Sequence, residues 1–80
     1  MLRGSREAIV RKIQPISVHG QISLDVHFVF PDEDAEQVRV ARIGPESVQP
    51  GIESGDRVSL EYVLGTVIRI TRIDSTTTAD

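Results

Sequence analysis

The stretch that most limits the fold is "QISLDVHFVF", residues 21–30. Ile22, Leu24, Val26, Phe28 and Phe30 fall on one side of an extended chain, and Ser23, Asp25 and His27 fall on the other. A period of two over ten residues describes a strand with one buried face, and it is incompatible with a helix. Pro31 lacks a ladder donor and is followed by acidic residues, so the strand ends there in a turn. No other segment shows a sustained helical period, so the chain has to be organised around a sheet.

Further strands follow from the same signal. "REAIVRKIQPI" reads as a first strand that closes in a turn around Gly20, with Pro15 marking a kink, a bulge or an edge position. "EQVRVARI" reads as a third strand with two phases, Val38 with Val40 and Ala41 with Ile43, which a bulge near Ala41 would reconcile. "GPESVQPGIESGD" leaves room for at most one short helical turn before Pro50 and Gly51 stop it. Val58, Leu60 and Tyr62 then alternate. Leu64 and Gly65 form a corner, with Gly65 at positive φ, and Val67, Ile68 and Ile70 return.

The expectation is an all-β domain: a small five-stranded antiparallel sheet curled into a partly closed barrel. Curling buries the inward residues of every strand against one another and blunts the edges. The inward set is expected to be Ile22, Leu24, Val26, Phe28, Phe30, Val38, Val40, Val58, Leu60, Ile68 and Ile70, leaving Val29 and Val63 outward. Residues 1–6 are expected to be a flexible N-terminus, 7–73 the domain, and 74–80, "DSTTTAD", a flexible tail.

The order of elements resembles the oligonucleotide/oligosaccharide-binding (OB) fold. Three strands, a short irregular connection and an "I-x-x-G-D-x-V" run, here Ile52 to Val58, lead into a closing hairpin. The resemblance covers about residues 7–73 and implies a small barrel. Single-strand binders of that fold carry basic and aromatic residues on the outward faces of the second and third strands. Here those faces offer Ser23, Asp25 and His27 on one strand and Arg39 on the other.

Charge and composition narrow the function classes. The chain has 80 residues and a net charge of −3, and its only aromatics are Phe28, Phe30 and Tyr62. Neither a long-range pull on nucleic acid nor a stacking platform is built in. The candidate binding surface on the outward strand faces is His27, Arg39, Arg69 and Arg72, with Arg11 and Lys12 near it. Asp25 and Glu61 dilute its field.

Asp25 could orient His27 as a general base, but no nucleophile accompanies the pair, so no catalytic residue is assigned and the chain is read as not an enzyme. Without cysteine, and with two histidines, it offers no metal centre. The acidic run 32–36 lacks the spacing and central glycine of a calcium loop. No cofactor motif is present. With no apolar run long enough for a span, the expectation is a soluble, cytoplasmic chain with no membrane partner. Its expected role is a protein-interaction or assembly module, working through an edge strand or outward apolar residues. Weak single-stranded nucleic-acid binding is the alternative.

Overall fold

The computed structural model describes residues 3–34 and 36–73. Five antiparallel strands form one sheet: β1 (Arg3–Val18), β2 (Gln21–Val29), β3 (Arg39–Ile43), β4 (Arg57–Val63) and β5 (Thr66–Arg72). Their spatial order is β3-β2-β1-β4-β5. The connection between β3 and β4 holds a single 3-10 turn, Pro45–Ser47, with proline at its start. No helix among the described residues is long and apolar enough to cross a membrane. The expected tail, 74–80, lies outside the described residues.

β1 is the spine of the sheet. Its first half pairs with β4, from Arg3↔Val63 to Ile9↔Arg57, and its second half pairs with β2, from Ile9↔Val29 to Val18↔Gln21. The change of partner coincides with a bulge between Val10 and Lys12, the device that bends a strand from one neighbour to another. β1 also takes in residues 3–6, which the sequence reading leaves outside the domain. Alternation continues through them, with Gly4 opposite Tyr62 and Arg6 opposite Leu60.

One apolar cluster lies on the concave side. Ala8 and Val10 of β1, Val26 and Phe28 of β2, Ile43 of β3, Val58 and Leu60 of β4 and Ile70 of β5 meet there, with Phe30 and Ile52 from the connections. Phe28 and Phe30 pack edge to face, with ring centroids 5.3 Å apart, a geometry their quadrupoles favour. Ile43 and Ile70 come from the two terminal strands, so the sheet wraps around the cluster. It does not close. β3 and β5 share no ladder, and the connection after β3 reaches β5 through an isolated parallel bridge, Val48↔Ile70.

Six of the expected inward residues are buried: Val26, Phe28, Phe30, Val58, Leu60 and Ile70. Leu24 is half-buried against the cluster. Four others, Ile22, Val38, Val40 and Ile68, are exposed. β3 carries no bulge near Ala41. Its ladder runs unbroken from Leu24↔Ile43 to Phe28↔Arg39, placing Ala41 opposite buried Val26 and turning Val40 outward opposite His27. In the β4–β5 pair the irregularity falls between Glu61 and Tyr62, and Ile68 is the extra residue that moves the phase onto Val67. Ile22 lies beyond the end of β3, where nothing covers it. Val29, expected outward, is 5% exposed and pairs across from Ile9 outside the main cluster.

Both hairpins turn through two residues at positive φ: His19 (51°) with Gly20 (80°), and Leu64 (53°) with Gly65 (81°). These are the values of the type I′ turn, whose twist matches that of the flanking strands. The "G-D" run behaves as expected of a tight turn. Gly55 has φ +94°, and the Asp56 carboxylate accepts the Glu53 N–H at 2.8 Å.

Candidate functional site: an arginine-lined basin

At one end of the wrapped sheet the inward column of β1 runs out of apolar residues. Continuing the alternation outward from Val10 and Ala8 brings Arg6 and then Gly4, opposite Leu60 and Tyr62 of β4. The first residue of β3, Arg39, shares the phase of Ala41 and Ile43 and arrives at the same end opposite Phe28. The result is an open basin of about 500 Å³. Arg3, Arg6, Arg39, Phe30 and Tyr62 contribute to its wall, and Gly4 leaves open the space that a side chain would fill.

Its floor is a cation–π stack. The Arg6 guanidinium carbon lies 3.5 Å from the Phe30 ring centroid, and that of Arg39 lies 5.2 Å from it. Phe30 keeps only 3% exposure beneath them. A guanidinium is weakly hydrated and planar, so it can cover an aromatic face while its N–H groups stay available at the rim.

Those N–H groups are engaged by the turn after β2. Glu33 spends one carboxylate oxygen on each arginine, Oε1 at 3.0 Å from Arg39 Nη2 and Oε2 at 3.1 Å from Arg6 Nη2. Asp32 adds a contact to Arg6 at 3.3 Å. The turn is fixed by the Glu33 N–H donating to the Phe30 carbonyl at 3.0 Å. Hydrogen bonds from Arg39 and then from Arg6 hold the Glu33 carboxyl below its ordinary range. Arg3 forms no ion pair among the described residues.

The four residues singled out from the sequence do not form one surface. His27 faces outward on β2 between Lys12 and Val40. Arg69 faces outward on β5 opposite Glu61. Arg39 belongs to the basin. Arg72 lies seven residues along β5 from Gly65 of the basin rim, about 20 Å at the usual strand rise. There it donates to Asp56 at 3.2 Å and to the Gly51 carbonyl. Elsewhere Arg42 pairs with Asp25 at 2.9 Å and Arg57 pairs with Glu7. Most strand arginines are thus matched with carboxylates, and among the described residues no continuous basic stripe runs over the outward faces.

The chain matches no protein-family model, no curated protein and no solved structure. Function has to be argued from the surfaces themselves. Arg3, Arg6 and Tyr62 were not among the sequence candidates, although Gly4, Arg6, Ala8 and Val10 carry a readable alternation. No cluster of three or more metal-ligating side chains exists among the described residues.

Proposed function

We propose that the chain is a protein-interaction or assembly module built on an OB-like, partly closed barrel. The strand order and directions support the barrel reading. β3 and β5 end the sheet, run parallel to each other, and both contribute to the one core. The short turn and the Val48↔Ile70 bridge lie between them.

The observation that carries the interaction reading is the β1–β2 arm. β4 pairs with β1 only as far as Ile9, and β3 pairs with β2 only from Leu24 onward. Beyond those points two strands continue alone to the His19–Gly20 turn. β1 therefore has an open edge over residues 12–18, and Pro15 sits on it. A two-stranded ribbon is marginal by itself. This one carries apolar side chains on both faces: Ile16 and Val18 by one alternation, Ile22 and Leu24 by the other, with Val18 and Ile22 exposed. An open edge flanked by apolar side chains fits strand addition from a partner, where main-chain hydrogen bonds give affinity and alternate side chains give specificity.

Nucleic-acid binding is the less favoured reading, because Arg42 and Arg57 on the outward faces are matched with carboxylates and the aromatics face inward. Affinity capture with the wild type and with a Val18→Glu, Ile22→Glu double variant tests the choice, alongside a single-stranded DNA titration. The reading expects proteins retained by the wild type and lost by the variant, and no DNA binding tighter than about 100 μM at physiological salt. Identical retention by both chains, together with saturable micromolar DNA binding lost in Arg39→Ala, Arg69→Ala, would replace it with the nucleic-acid reading.

A further inference from the structure

The basin stands apart from the arm, and its chemistry is of a different kind. Arg6 and Arg39 come from strands that are not neighbours in the sheet, and both guanidiniums lean on one ring. Their spacing accommodates one oxyanion between them, since a single carboxylate already bridges the pair with one oxygen to each. Each arginine gives one charge-assisted hydrogen bond to the bridging group, the kind of bond by which guanidiniums hold carboxylate and phosphate oxygens. Glu33 is half-buried, but both arginines are exposed, so these ion pairs are screened by solvent and contribute little to stability.

We propose that the basin is a binding site for the phosphoryl group of a phosphomonoester, with Glu33 as the intramolecular occupant that the ligand displaces. Arg6 and Arg39 take the phosphoryl oxygens, and Arg3 adds a third positive charge at the rim. The organic portion of the ligand lies along Tyr62, in the space that Gly4 leaves open.

Two considerations select a phosphoryl group over a carboxylate. Glu33 is tethered beside the arginines, so its effective concentration there is about millimolar or higher, and a free monoanion of equal charge competes poorly. A dianion gains more from the paired Arg6 and Arg39 guanidiniums than the tethered monoanion does. The volume also matters. About 500 Å³ lies within the range of small-molecule sites and exceeds what a phosphoryl group alone would occupy.

The proposal is independent of the interaction reading, and the arm variant Val18→Glu, Ile22→Glu should bind the same ligands as the wild type. The test is an amide-shift NMR titration with inorganic phosphate, phenyl phosphate, benzoate and a phosphoserine peptide. It uses the wild type, Glu33→Gln, Arg39→Ala and the outward control Arg69→Ala, each checked first for a native-like spectrum.

Phenyl phosphate should shift residues 3–6, 30, 39 and 62–65 saturably in the wild type. The Glu33→Gln variant should bind it roughly fivefold or more tightly, and Arg39→Ala about tenfold more weakly, the loss of one charged hydrogen bond. Benzoate should bind only once Glu33 is neutralised. Tighter binding of the peptide than of phenyl phosphate would identify the source of the phosphoryl group as a phosphorylated protein, and the reverse would identify it as a small molecule. The proposal falls if phenyl phosphate gives no saturable shifts in Glu33→Gln, if benzoate binds the wild type as well as phenyl phosphate does, or if Arg69→Ala weakens binding as much as Arg39→Ala.

Discussion

Leu64→Asn should stabilise the protein. Leu64 occupies the first position of the β4–β5 turn at φ 53°, followed by Gly65 at 81° and flanked by the closing pair Val63↔Thr66. A branched apolar side chain gains nothing from the left-handed region, where an L-residue pays roughly 1–2 kcal/mol relative to its preferred conformations. Asparagine tolerates that region through local hydrogen bonding, and Asn-Gly is the favoured pair for a type I′ turn. Little is lost in exchange, because Leu64 is 71% exposed and no core residue depends on it.

The net expectation is a gain of about 0.5–1 kcal/mol, or roughly 2–8 °C in Tm for a domain of this size. Thermal denaturation followed by circular dichroism, with urea midpoints as a second measure, would read it. His19→Asn at the other turn supplies the comparison. Its φ of 51° is nearly the same, but histidine is already enriched in the left-handed region, and the turn sits at the tip of a two-stranded arm away from the core cluster. That variant should move Tm by less than about 1 °C. An unchanged or lower Tm in Leu64→Asn would show either that the turn does not hold this conformation in solution or that Leu64 makes a contact that repays the strain.

Val26→Ala should cost about 1–4 kcal/mol in chemical denaturation and Val40→Ala less than about 0.5, because Val26 is fully buried while Val40 is 53% exposed on the same two-strand ladder. Equal losses would invalidate the register of β3. Gly55→Val should lower stability by about 1–2 kcal/mol through the backbone alone, since Gly55 has φ +94° and a Cβ there meets no atom within 4 Å; an unchanged melting curve would mean an ordinary φ at this residue. Three carboxyls lie below their ordinary range: Asp25 through Arg42, Glu33 through Arg39 and Arg6, and Asp56 through the Glu53 N–H and then Arg72. As pH falls, the unfolded chain takes up these protons first, so their contribution is complete above about pH 5 and lost toward the lower folded values. Urea midpoints measured from pH 7 to pH 3 should decline in that window, and Asp56→Asn should flatten the decline.

What the sequence made legible, and what it concealed, divides along physical lines. Alternation identifies which residues share a face, and over residues 21–30 that is enough to locate Val26, Phe28 and Phe30 in the core. It does not say whether anything lies opposite. Ile22 has the same phase as Val26 and is exposed because β2 outruns β3 at Leu24↔Ile43. On β3 the sequence contained two phases. A bulge near Ala41 would let both phases point inward, but the ladder is unbroken, so Ala41 opposite Val26 and Ile43 turn inward and Val40 turns out.

The same choice decides the basin. With Ala41 inward, Arg39 also points to the concave side, where a reading based on hydrophobicity would never place it. Arg6 repeats the case on β1, in phase with Ala8 and Val10 yet charged. An inward position is apolar only while the column remains covered. At its last rung a long side chain can lay its flat head on an aromatic ring and keep its donors in water. Charged residues that continue an inward alternation past the end of a core therefore mark the mouth of a wrapped sheet. In this chain two of them, arriving from β1 and β3, meet over Phe30.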